Sequence, residues 1–170
     1  AGPVQASPAA GRGSGPAAAL PASAATAVDI PAIGVRSGLQ RLGLNPDGSV
    51  QVPSSYQQAG WYEHSASPGT AGPTVVLGHI DSRSGPGVFF RLGALRPGDT
   101  VRVRRADGRT ETYIITGVRE YEKDHFPTLA VYGPGSVPTI RLITCGGAFD
   151  PAAGHYLANI IAFGQLAGPP

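Results

Sequence analysis

The distribution of apolar side chains divides the chain in two. Residues 1–27, AGPVQASPAAGRGSGPAAALPASAATA, carry Ala, Pro, Gly and Ser with almost no large apolar side chain. Such a segment buries too little surface to offset its ordering entropy, so a flexible tether is expected there. Prolines at positions 3, 8, 16 and 21 argue against an Ala-rich helix. Removal of residues 1–27 is expected to leave stability nearly unchanged.

From Asp29 onward, short apolar runs are separated by turn residues. IPAIGV and SGLQRLGL are strand candidates, followed by the turn NPDGS at 45–49. PTVVLGHI (73–80) reads as a buried strand ending near His79. In GPGVFFRLGALRPGD, Phe89, Phe90 and Leu92 predict a packed loop or helical turn closed by Pro-Gly-Asp. TVRVRR alternates with period two, ADGR supplies an Asp-Gly hairpin turn, and TETYIITGVREY returns. TIRLITC and YLANIIAF are two further strands, joined by a loop of about ten residues. Many short strands, with no long amphipathic helix and no internal repeat, predict one all-β barrel or sandwich over residues 28–170.

Composition changes this picture little. Apolar residues at 41% can build a core, and 25 Gly with 17 Pro suit a fold rich in turns. The net charge of +2 is mildly basic. Arg102, Arg104, Arg105 and Arg109 form the densest basic cluster, but Asp107 and Glu111 interrupt it. It reads as a solvated strand face, and without an aromatic stacking platform it does not predict nucleic-acid binding. No run approaches the roughly 18 apolar residues of a membrane-spanning helix. The chain opens on Ala without a basic-then-apolar leader, so any export or anchoring segment is expected to be missing from it.

Candidate chemistry centres on the one cysteine, Cys145, which ends TIRLITC and precedes Gly146 and Gly147. One cysteine excludes an internal disulfide. On the residues alone, Cys145 is either a small buried hydrophobe or a nucleophile. A nucleophilic cysteine needs its thiolate, which a nearby imidazole can supply. Of the four histidines, His64 and His125 sit in polar segments and His155 opens the last strand. His79 differs, because it closes a buried run where a polar ring needs a partner.

These residues carry a family resemblance. RLITCGG resembles the sortase pattern in which Leu, any residue and Thr precede the catalytic Cys, and VVLGHID resembles the sortase strand that ends in the catalytic His. With GPGVFFRLGALRPGD between them and FDPAAGHYLANIIAF after, the chain resembles class F sortases of actinobacteria from about Asp29 to Leu166. The resemblance implies a closed eight-stranded β-barrel with short helices or 3-10 turns in the connections. It also implies a cysteine transpeptidase that cleaves a Leu-Pro-any-Thr-Gly sorting signal. Cys145 would attack the Thr carbonyl to form a thioacyl-enzyme. His79 would protonate the departing amine and deprotonate the incoming one. The implied partners are sorting-signal proteins and the amine acceptor of a peptidoglycan precursor, met by a monomer anchored outside the cell membrane. No metal or organic cofactor is required. Some sortases bind calcium, but no loop here is acidic enough to argue for it.

One departure stands out. Many sortases complete the site with an arginine from the strand after the cysteine, yet GHYLANIIAFGQL contains none, and Leu157 or Asn159 falls near that place. Strand alternation puts Arg141, Ile143 and Cys145 on one face, with Arg141 roughly 13 Å from Cys145. Arg141 is therefore expected either to donate to the oxyanion or to contact substrate along the groove. Ile143 and Asn159 are expected to contact substrate. Three rival readings remain. One is a cysteine peptidase that only hydrolyses. Another is an L,D-transpeptidase-like enzyme, whose His-Gly before the cysteine is missing here. The third is a surface binding module with an inert Cys145.

Overall fold

The computed structural model describes residues 20–168, so the part of the expected tether at residues 1–19 lies outside the described residues. Ten strands follow in chain order: β1 (Ala25–Ile30), β2 (Val35–Leu42), β3 (Ala59–Tyr62), β4 (Gly72–Leu77), β5 (Asp81–Ser82), β6 (Gly85–Pro86), β7 (Thr100–Arg105), β8 (Thr110–Glu122), β9 (Pro138–Asp150) and β10 (His155–Leu166). Eight of them close into a barrel in the order β1-β2-β3-β4-β9-β10-β8-β7, and β7 pairs with β1 to shut it. The short β5 and β6 form a separate two-stranded ribbon. One five-residue helix, α1 (Thr128–Tyr132), and three 3-10 turns occupy connections. This is the closed eight-stranded, all-β barrel that the resemblance implies.

The barrel interior is filled from alternate positions of the strands. Val101 and Val103 of β7 point inward and are fully buried, while Arg102 and Arg104 between them are exposed. Strand β4 departs from alternation because both of its faces are covered. Val76 joins the interior core, and Val75 joins a second cluster outside the barrel wall with Val131 of α1, Ile143 and Ile161. Phe89 and Leu92 plug the core as expected, but Phe90 is exposed.

Three local expectations are corrected. IPAIGV is not one strand: Ile30 ends β1, Pro31–Ile33 form a 3-10 turn, and Gly34 closes it at φ 69°. Proline lacks the N–H that a ladder needs, and glycine alone takes that left-handed conformation without steric cost. The ten-residue loop between the last two strands shrinks to four residues, because β9 continues to Asp150 and β10 starts at His155. A bulge makes this possible: Gly146 pairs with Ala158 but Phe149 pairs with Tyr156, which places one extra residue on β9. Gly147 sits at φ 72° in the bulge, and a Cβ on Gly146 would lie 2.5 Å from Ile160. The glycine pair after Cys145 thus lets the final hairpin bend and close.

The third correction concerns the boundary at residue 28. Strand β1 begins at Ala25, which is buried and pairs with Arg105. The Arg105 side chain is fully buried, so this member of the basic cluster is not on a solvated face. Its guanidinium donates to the carbonyls of Pro21 at 2.5 Å and Pro68 at 2.6 Å, and to Asp107 Oδ2 at 2.8 Å. Ser23 adds a backbone N–H to Ser67 Oγ at 3.0 Å. A buried arginine needs every donor answered, and the segment before β1 supplies one of the acceptors.

Deleting residues 1–27 is therefore expected to lower stability by about 3 kcal/mol, since it breaks a buried charged network. Thermal melts should show a fall of about 6–12 °C, whereas deletion of residues 1–19 keeps every contact named here. Equal melts for the two truncations would show that the Arg105 network contributes nothing. A second expectation concerns acid. The hydrogen bond from Arg105 holds the Asp107 carboxyl below the usual carboxylate range, assisted by the Arg109 backbone N–H. Its stabilisation is complete above the ordinary carboxylate pKa and is lost as pH falls through the depressed folded value. Asp107→Asn should flatten that acid limb of the stability curve in denaturant titrations.

Candidate active site

Strands β4 and β9 run parallel, and the register carries Gly72 opposite Pro138 through Leu77 opposite Ile143. One more rung follows, in which the Gly78 N–H donates to the Ile143 carbonyl at 3.0 Å. His79 lies two residues past Leu77, and Cys145 lies two residues past Ile143. The parallel register thus delivers the histidine and the cysteine to the same end of adjacent strands. Both line one open cleft of ≈ 660 Å³, with Tyr56, Asp81, Arg83 and Tyr156.

His79 is held from two sides. Its ring lies 4.4 Å from that of Tyr56, centroid to centroid. Its Nε2 is 2.7 Å from the Pro53 carbonyl. A carbonyl can only accept, so Nε2 carries the hydrogen and Nδ1 is left to exchange a proton. Across the cleft, the Tyr156 hydroxyl donates to Asp81 Oδ2 at 2.5 Å, tying the β9–β10 hairpin to β5. That bond to a carboxylate, with some burial, raises the Tyr156 pKa and keeps the phenol protonated at neutral pH.

Cys145 is half-buried, and no other cysteine exists to pair with it. The Lys123 ammonium lies 3.8 Å from its sulfur. Neither Lys123 nor the polar frame of Tyr56, Asp81 and Tyr156 was legible from local pattern. The available signal was a count: Lys123 is the only lysine in the chain.

The remaining expected site residues fall elsewhere. Arg141 does share the outer face with Cys145, as alternation requires, but the structure does not bring its guanidinium to the cleft. It turns toward α1, where Nε donates to the Ala130 carbonyl at 3.0 Å, and it stacks 4.8 Å over the Phe163 ring. Burial lowers its pKa, though an arginine, whose ordinary value lies far above neutral, stays charged at neutral pH. Ile143 is 4% exposed and packs in the cluster beneath α1, so it presents no surface to a substrate. Asn159 pairs directly with Cys145 across the β9–β10 ladder, and its amide donates to the Thr144 carbonyl at 3.2 Å. It braces the backbone that carries the cysteine. Leu157 is exposed outside the Cys145–His79 cleft.

Of the other histidines, His155 reaches the rim of the cleft, and His64 pairs with Glu63 at the surface. Among the described residues, Glu122, Asp124 and His125 are the one group spaced to hold a metal ion. Two exposed carboxylates and an imidazole do not fit calcium, which takes six to eight oxygen ligands.

Arg141→Ala is accordingly expected to loosen α1, lowering the melting temperature by a few degrees, while leaving the alkylation rate of Cys145 unchanged. A drop in thiol reactivity at constant stability would return Arg141 to the site.

No curated protein sequence matches this chain significantly. The fold is similar to that of sortase C1 from Streptococcus agalactiae, with a TM-score of 0.66 at 20% identity over 85% of this chain and 68% of the other. Sortase C-1 from Actinomyces oris gives a TM-score of 0.66 at 19% identity over 85% and 74% of the two chains. Sortase A from Corynebacterium diphtheriae gives a TM-score of 0.63 at 17% identity over 91% and 64%. Residues 28–167 match the sortase domain. With the histidine and the cysteine at the ends of adjacent parallel strands in one cleft, the chain belongs to the sortase family of cysteine transpeptidases.

Proposed function

We propose that this protein cleaves a Leu-Pro-any-Thr-Gly type sorting signal between Thr and Gly and transfers the Thr carbonyl to an amine of a peptidoglycan precursor. The observation that carries this reading is the shared cleft of Cys145 and His79, set by the β4–β9 register. Within the family, the motifs RLITCGG and VVLGHID support a reading as a class F sortase of an actinobacterium. Its substrates would then lie outside the cell, at the wall. Among the described residues, no helix is long and apolar enough to cross a membrane.

The chemistry runs through two acyl transfers. Cys145 gives its proton to His79 and its sulfur attacks the Thr carbonyl carbon, placing negative charge on the carbonyl oxygen. The carbon–nitrogen bond to Gly breaks as the imidazolium returns that proton to the departing amine. A thioacyl-enzyme remains. The incoming amine then attacks the thioester, His79 takes its proton, and the carbon–sulfur bond breaks to regenerate the thiol pair. The single thiol suits this role, since a catalytic cysteine outside the cell has no second cysteine here with which to be oxidised internally.

Mass spectrometry of the full chain with a Leu-Pro-any-Thr-Gly peptide and candidate amines tests this directly. Cleavage after Thr with a trapped thioacyl adduct on Cys145 is expected. Cys145→Ala should abolish turnover with the fold intact, and His79→Ala should reduce it by at least about 10². Cleavage that survives in Cys145→Ala would end the thioacyl mechanism. An unreactive wild-type chain would favour the binding-module reading instead.

A further inference from the structure

Beside the cleft, a cation that neither the motifs nor the strand after the cysteine supply reaches the sulfur. Lys123, the only lysine among 170 residues, sits in the 3-10 turn that follows β8. Its Nζ lies 3.8 Å from the sulfur of the only cysteine. The carboxylates beside it are engaged elsewhere. His125 Nδ1 is 3.0 Å from Asp124 and 3.4 Å from Glu122. Among the described residues, no carboxylate oxygen lies within 4.0 Å of Lys123. The sulfur is thus the one polar side-chain atom the ammonium meets at contact distance.

Arginine is absent from β10, and Arg141 is committed to α1, so neither offers charge to the sulfur. We propose that Lys123 is a further catalytic residue, whose ammonium stabilises the Cys145 thiolate from the β8 side of the cleft. The role deepens the transpeptidase reading and rests on it. When the sulfur's proton passes to His79, the negative charge left on sulfur faces a fixed positive charge, and Lys123 keeps its own three protons throughout. A cation about 4 Å from the sulfur favours the charged thiolate over the neutral thiol.

Other titratable groups face the same region. His79, Asp81 and Arg83 come from the β4–β6 connections, and His155 and Tyr156 from β10. Glu120 and Glu122 of β8, with Asp124, border Lys123 on the far side. Their negative charge opposes thiolate formation, so the ammonium adjacent to the sulfur offsets the local field. Nδ1 of His79 remains the proton exchange partner, which separates the two groups by role: His79 moves a proton, and Lys123 holds charge.

The test is the pH profile of iodoacetamide alkylation of the full chain, where a single cysteine makes every event report on Cys145. Wild type, Lys123→Met, Lys123→Gln and Lys123→Arg are compared, with thermal melts alongside. Lys123 is exposed, so unchanged melts are expected for all three variants. Lys123→Met and Lys123→Gln should move the rate rise to higher pH, and Lys123→Arg should restore most of the wild-type profile. Turnover of the sorting peptide at neutral pH should fall in parallel with the alkylation rate in the neutral variants. Neutral variants whose alkylation profiles superpose on wild type would overturn the proposal, whatever their turnover. A shifted profile in a chain that never cleaves the peptide would keep Lys123 as the thiolate partner and reject the transpeptidase reading.

Discussion

The parallel pairing of β4 with β9 is the constraint on which the site depends. Side chains alternate along a strand, so a register error of one residue between these two would turn either His79 or Cys145 away from the cleft. The pairing is protected by burial on both faces. Val76 and Leu142 lock it from inside the barrel, while Val75 and Ile143 lock it from outside beneath α1. A parallel pair cannot be made by a hairpin, and here the intervening chain supplies β5, β6, β7, β8 and α1 before β9 returns. Two of the eight barrel strands, β7 and β8, therefore lie within the connection that brings these two strand ends together.

The outer face of that pair shows how a buried wall becomes a reactive edge. Moving along β9, Arg141 anchors α1, Ile143 fills the apolar cluster, and Cys145 emerges half-buried where the cover ends. Asn159 on the neighbouring strand ties the Thr144 carbonyl down at the transition. Gly146 and Gly147 then admit the bulge that bends the last hairpin, and Tyr156 on that hairpin bonds to Asp81 across the cleft. A hairpin with an ordinary loop of ten residues would leave Tyr156 without this fixed position.

At the other end of the chain order, closure rests on a polar knot. Strand β1 seals the barrel against β7, and Arg105 at the end of β7 gathers Pro21, Pro68 and Asp107 around one guanidinium. Several hydrogen bonds to a planar fork suit arginine and would not suit lysine. The same residue that reads as one more charge in TVRVRR is the inward member of its strand, because the period of two carries Val101, Val103 and Arg105 to one side.

The sequence by itself determined the fold class and singled out the candidate pair. Period-two alternation, Asp-Gly turns and the absence of helical periodicity specify short strands, and those signals are local. RLITCGG and VVLGHID name Cys145 and His79 because each motif is contiguous. Tertiary structure decided the rest. It began β1 at Ala25, since the value of a small residue there depends on Arg105, eighty positions away in the chain. It turned Arg141 to α1, since alternation fixes the face of a side chain but not the direction of a long one along it. It brought Lys123 to the sulfur through a 3-10 turn whose placement follows from the β8–β10–β9 order of the barrel wall. Strand pattern is a property of neighbours in sequence, whereas the charge around a thiol is a property of neighbours in space.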